Sequence, residues 1–252
     1  MAINTINFFA IFGMLLLASC SGSSEETKFS EGTIIYDVSF PFQQDDILVN
    51  LYPTEMVMDF KDNQVRMSMQ SLGGLVATEF VLNNATREFS QILRALKERH
   101  IMNLDEAEVK EMVASMPRMI MTPTNETDSL AGYLCKKTMA VFDSDSVPPI
   151  ALWHTDQIDL TDPNWCNQFY DSKDVLLGYE VEQYGMRMRL RARSAIPKEI
   201  SDSKFELPFD YAELDYLGMR NHVENLLGQF MNNEEEDPNN AEIEEEPSSS
   251  DL

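Results

Sequence analysis

Few side chains in this 252-residue sequence have the type and spacing that chemistry requires. The three histidines, His100, His154 and His222, stand far apart and fall in no HExxH or comparable metal-ligand spacing. There is no GxSxG elbow, no Gly-rich phosphate loop and no nucleotide fingerprint. Asp143-Ser144-Asp145 and the run Asp156, Asp159, Asp162 could offer oxygens to calcium, but neither has an EF-hand's spacing or its terminal bidentate glutamate. With no nucleophile, base and orienting group converging, the expectation is a chain without catalytic activity, a cofactor or a bound metal. The rival reading is a metal-dependent hydrolase built on His154 with Asp156 and Asp159.

Cysteine carries more information. Leu17-Ala18-Ser19-Cys20 closes an apolar run from Phe8 to Leu17, and the residues after it, Ser21-Gly22-Ser23-Ser24-Glu25-Glu26, are small and polar. The run has the length of a signal peptide and is too short to span a bilayer. The pattern reads as a bacterial lipobox, in which residues 1–19 are removed and Cys20 is acylated on its thiol and new amino end. The alternative is an ordinary secretory signal cut at Ala18. One departure is that Met1 to Asn7 holds no Lys or Arg. The lipid on Cys20 would be the chain's membrane attachment, on the bacterial outer membrane, facing the periplasm or the cell surface. Two further cysteines, Cys135 and Cys166, could pair in an oxidising compartment, but two thiols fix no framework.

Composition narrows the partners. Forty-three acidic residues against 19 basic ones give a formal net charge of −24. That acidity disfavours nucleic acid, and adhesion to anionic lipid heads by charge alone. From Met231 to Leu252 there are nine acids, no Lys or Arg and almost no large apolar group, so residues 231–252 read as a disordered tail. Residues 20–28 read as a flexible tether, and residues 29–230 as a single domain.

Within that domain the dominant period is two. Thr33 to Phe40 alternates and stops at Pro41, giving a first strand. Glu55–Phe60 and Gln64–Gln70 form a hairpin around Asp62-Asn63, which sets Met56 opposite Met69, Met58 opposite Met67, Phe60 opposite Val65 and Asp59 opposite Arg66. A second pair runs from Leu75 to Leu82 and Thr86 to Leu93. Leu104 to Met116 shifts to helical spacing, with Asn103 and Glu106 as its cap pair, and Pro117 ends it. Strands return at Tyr133–Phe142 and Ile150–His154. A last hairpin, Tyr179 to Arg193, turns at Tyr184-Gly185 and sets Val181 opposite Met188. A final amphipathic helix covers about Tyr211 to Phe230, presenting Met219, Val223, Leu226, Leu227 and Phe230. Some ten strands, two helices and no βαβ alternation predict an α+β fold, a curved antiparallel sheet covered by helices.

Two stripes on these strands are candidate binding surfaces. Met56, Met58, Met67, Met69, Met186 and Met188 fall on faces that point inward, and methionine suits walls that adapt to ligands of imprecise shape. Arg189, Arg191 and Arg193, with Arg187, alternate on the opposite face and could hold an anionic headgroup or an acidic partner; Glu180 and Glu182 stand across the hairpin as local partners.

Leu130-Ala131-Gly132-Tyr133-Leu134-Cys135-Lys136-Lys137, then Ala151 to Ile158 with Trp153, His154 and Thr155, then Phe205-Glu206-Leu207-Pro208 resemble a group of uncharacterised lipoproteins and exported proteins common in Bacteroidota. Glu31 to Tyr36 resembles their first strand, so the likeness spans residues 31–212. Related GLPGLI-type proteins share the cysteine and tryptophan segments, although the GLPGLI hexapeptide is missing here. The resemblance implies a relative of the LolA/LolB lipoprotein-carrier fold, an incomplete antiparallel barrel with helices over its open side, and through that analogy a pocket for an acyl chain. Cys166 falls outside that pattern. Asp128-Ser129-Leu130 and Asp145-Ser146-Val147 resemble O-glycosylation acceptors of such bacteria. The expected function is a lipid-anchored, non-catalytic binding protein for an apolar or amphiphilic ligand; the alternative is an envelope scaffold that meets another envelope protein.

Overall fold

The computed structural model describes residues 28–43, 52–142, 148–183 and 186–232. Cys20, most of the expected tether and tail, and the calcium and glycosylation candidates at 143–147 lie outside the described residues. The chain runs β1 (Glu31–Ser39), β2 (Glu55–Lys61), β3 (Gln64–Ser71), β4 (Val76–Asn83), β5 (Glu88–Ala95), β6 (Glu98–Leu104), α1 (Glu106–Ala114), β7 (Met119–Leu130), β8 (Tyr133–Phe142) and β9 (Ile150–Thr155). It continues through β10 (Val175–Gln183), β11 (Met186–Pro197), the two-residue β12 (Ala212–Glu213) and α2 (Tyr216–Asn232). Among the described residues, no helix is long and apolar enough to cross a membrane.

All twelve strands join one sheet in the order β12-β6-β5-β4-β3-β2-β1-β11-β10-β9-β8-β7. Every pairing is antiparallel except β12 on β6. The sheet stays open, with β12 and β7 as its edges, so the class is α+β with an incomplete barrel. Its curl comes partly from a parting of strands. β10 follows β11 as far as Gly178 opposite Arg191, then turns to pair with β9 through a bulge at Leu177. The tip of the β7–β8 hairpin fills the gap, where Tyr133 Oη donates to Ala195 O at 3.4 Å and Arg191 meets Asp128 at 3.1 Å.

The β2–β3 and β10–β11 hairpins form in the expected register, whereas the pair expected from Leu75 to Leu93 runs as β4 and β5 with Asn83 opposite Glu88. Met56 faces Met69, Met58 faces Met67 and Phe60 faces Val65, across a turn where Asp62 and Asn63 take left-handed φ of 49° and 66°. Val181 faces Met188 and Tyr179 faces Leu190. The ion pairing is different from a simple Asp59–Arg66 match. Arg66 of β3 turns to Glu79 on the neighbouring β4, while Asp59 accepts from Thr33 and lies near Lys204.

Several expectations need correction. The helix expected from Leu104 begins at Glu106, because β6 continues through Leu104 and Asp105, not Asn103, is the cap. Asp105 Oδ1 accepts from the amides of Ala107 and Glu108, and Glu108 Oε2 returns a bond to the Asp105 amide at 2.9 Å. The last helix begins at Tyr216, five residues late, because the chain first adds β12 to the sheet edge. β6 and β7 are strands beyond those the alternation predicts. β7 is largely polar and exposed, as an edge strand tolerates, and its Pro123 donates nothing.

The main core sits inside the curve: Ile34, Tyr36, Phe60, Val65, Leu93, Leu177 and Met219 are almost fully buried. On the outer face a small cluster of Val81, Ile92 and Ile101 is capped by Tyr211.

Candidate functional site

The strands on the two flanks of the curve lean their inner faces toward one another and leave a cavity of about 560 Å³ between them. β2 contributes Met56, β3 Met67 and Met69, β4 Phe80, β5 Phe89 and Gln91, and β6 Met102. The alternation that buries Val65, Leu82 and Leu93 deeper in each strand also turns these residues inward. From the other flank come Tyr179, Val181, Met188 and Leu190 on β10 and β11. α1 supplies Met112, with Met116 and Pro117 just beyond its end. The segment between β9 and β10 supplies Cys166 to Phe169, and α2 brings Tyr216, Arg220 and Glu224. Seven methionines therefore line one cavity.

Four of the six methionines read from the sequence, Met56, Met67, Met69 and Met188, meet here. Met58 does not. It is 7% exposed in the packed core behind the wall, with its Sδ 3.9 Å from Tyr36 Oη. Met186 opens β11 opposite Gln183, and its side chain lies outside the described residues. Met102, Met112 and Met116 complete the wall, and the sequence offered no single period that could have joined them. Met102 sits on β6, Met112 on α1 and Met116 just beyond the helix end, and this segment joins the wall only in the folded chain.

The wall is not wholly apolar. Gln91, 4% exposed between Phe80 and Met102 on the neighbouring strands, has an Nε2 with no hydrogen-bond partner, and so does Gln168. Both amides are donors facing an apolar space. Cys166 is a free thiol there, as is Cys135 elsewhere in the core, so the two are not bonded to each other. Burial pushes the Cys166 thiol up to about 12 and that of Cys135 up to about 11. Burial also raises Tyr36, whose hydroxyl donates to Leu176 O at 2.8 Å, and Tyr179.

The arginine stripe lies on the other face of β11. Arg189 binds Glu180 at 2.8 Å together with Arg187, Arg191 binds Asp128, and Arg193 bridges Asp37 and Glu55 at 2.7 Å each. Each guanidinium is thus tied to carboxylates of its own sheet, while Arg187 also covers the Phe42 ring.

His154 finds a carboxylate, but not from the expected aspartates. Its Nδ1 is 2.7 Å from Asp174 and its Nε2 is 3.0 Å from Thr138 Oγ1. Asp156 instead pairs with Lys136 at 3.2 Å. The Thr138–His154–Asp174 chain has the connectivity of hydroxyl, base and orienting acid, yet Thr138 is 8% exposed and none of the three lines the cavity. It joins β8, β9 and the start of β10. His100 and His222, unrelated in sequence, come together beside Glu98, a second place where titratable side chains converge.

No protein-family model matches this chain, and no curated protein matches it significantly.

Proposed function

We propose that this chain is a lipid-anchored envelope protein that shelters an apolar or amphiphilic ligand without transforming it. The observation that carries the reading is the methionine-lined cavity of about 560 Å³, within the ~300–1,000 Å³ range typical of small-molecule sites. Seven thioethers make a polarizable, rotamer-rich wall suited to chains of variable shape. The unpartnered amides of Gln91 and Gln168 favour a ligand that carries an acceptor oxygen as well as an apolar body, such as an acyl ester or acid. The one thiol on the wall, Cys166, is held protonated at neutral pH and is a poor nucleophile. The open antiparallel sheet with helices over its concave side supports a LolA/LolB-like carrier, and the lipobox at Cys20 supports anchoring in the outer membrane.

Native mass spectrometry of the protein purified from its own envelope tests the carriage. The expected result is a co-purified lipid or other amphiphile, lost in Met69→Asp and Met188→Asp variants that keep the far-UV spectrum. An interior without ligand would replace this reading with that of an envelope scaffold. Metabolic labelling with an alkyne fatty acid tests the anchor, with label expected on the wild type and absent from Cys20→Ala.

A further inference from the structure

His100 on β6 and His222 on α2 are 122 positions apart in sequence, yet their rings meet edge to face with centroids 4.4 Å apart. Glu98, two residues before His100 and so on the same strand face, serves both: its Oε2 lies 3.7 Å from His100 Nε2 and 2.8 Å from His222 Nε2. One donor atom from each residue falls within a span of 4.8 Å. Two of the imidazole nitrogens in this cluster, His100 Nδ1 and His222 Nε2, are buried without a hydrogen-bond partner. His222 Nε2 nonetheless lies 2.8 Å from Glu98 Oε2 as an ion-pair contact.

Such a cluster is awkward as it stands. Two imidazoles and a carboxylate converge there with ring nitrogens left unpartnered. A divalent cation between the three side chains would accept an electron pair from one nitrogen of each ring while the carboxylate offsets its charge. We propose that Glu98, His100 and His222 form a binding site for a divalent transition metal of zinc's class, which fastens α2 to β6. Two imidazoles and one carboxylate are a borderline-soft donor set that suits zinc and its neighbours, whereas calcium and magnesium take oxygen cages. The histidine side chains are 19% and 24% exposed and that of Glu98 is 55% exposed, so the site is seated in the fold yet open to an arriving ion and to a water as fourth ligand.

The placement gives the metal a consequence. His222 lies in sequence between Arg220 and Glu224, two of the three α2 residues at the cavity, so a bound ion pins the helix that covers it. Metal binding itself does not rest on the cavity holding a ligand.

Titration calorimetry of zinc chloride into the chelator-stripped, ligand-free protein tests the proposal. One high-affinity equivalent is expected, weakened at least about tenfold in His100→Ala, His222→Ala and Glu98→Gln. Glu98→Gln changes a half-exposed strand end, so the fold persists even if a histidine variant loses it. Cobalt should give a visible d–d band that these variants lack, and one equivalent of zinc should slow amide hydrogen exchange along α2. No stoichiometric binding, binding that survives all three substitutions, or unchanged exchange in α2 overturns the proposal. Because no amphiphile is present, these outcomes are independent of the carriage experiment.

Discussion

Met56 and Met69 face each other across the β2–β3 ladder and both reach the cavity, whereas on the next inward rung Met58 is in the core and only Met67 reaches the wall. One face of one hairpin therefore divides between packing and binding. The two positions should differ in cost. Met58→Ala, which leaves a hole under Tyr36, should destabilise by about 2–4 kcal/mol, and Met69→Ala by roughly 1 kcal/mol or less, as read from urea midpoints. Equal losses would mean that the cavity wall is packed as tightly as the core.

Glu79 should be the costliest charged residue on the outer face. It is buried, and its two carboxylate oxygens are held by Arg66 and Arg94, with Arg66 also donating to Lys204 O at 2.7 Å. Glu79→Ala leaves guanidiniums without their counter-charge and should cost about 3 kcal/mol, whereas removing the exposed Arg193 pairings should cost clearly less. Thermal denaturation of the two variants side by side checks the ranking.

Buried thiols make the fold sensitive to alkali. An unfolded thiol releases its proton near pH 9, while that of Cys166 in the fold holds it to about 12. Below pH 9 both states keep the proton and the full contribution is present; between 9 and 12 only the unfolded chain ionises, so stability falls as pH rises. Cys135 acts in the same direction up to about 11. Urea midpoints should decline from pH 8.5 to pH 11, and Cys166→Ala should decline less steeply. A parallel decline in the two proteins would place the loss elsewhere.

Gly32 is needed for close approach. A Cβ at this position on β1 would come within 2.5 Å of the carbonyl oxygen of Ile196 on β11, which is backbone and cannot swing aside. Gly32→Ala should therefore cost about 1–3 kcal/mol through displacement of the β1–β11 ladder, with guanidinium unfolding as the measure. A neutral result would show that the ladder can slide at that end.

Much of this architecture is local and so legible in order along the chain. The Asp62-Asn63 turn, the alternation on either side of it and the facing methionines fix one hairpin, because a slip of one residue would expose every apolar side chain on it. The same logic fixes Val181 opposite Met188. The exact cap of α1 was legible only in part: Asn103, Asp105, Glu106 and Glu108 all suit a helix start, and the pairing of β6 with β5 through Leu104 decided among them. β7 gave little signal because an edge strand buries too little to need a pattern.

The sites are another matter. That the sequence is rich in methionine can be counted; that Met102, Met112 and Met116 join the hairpin methionines around one space depends on how far the sheet curls and where α1 crosses it. That His154 takes Asp174 rather than Asp156 follows from where β9 and β10 run side by side. The meeting of His100 and His222 is decided wholly by α2 folding back onto β6. Periodicity and turn chemistry act between neighbours in sequence, so they determine elements and their registers. Cavities and clusters arise between elements, where only the closing of the whole sheet sets the distances.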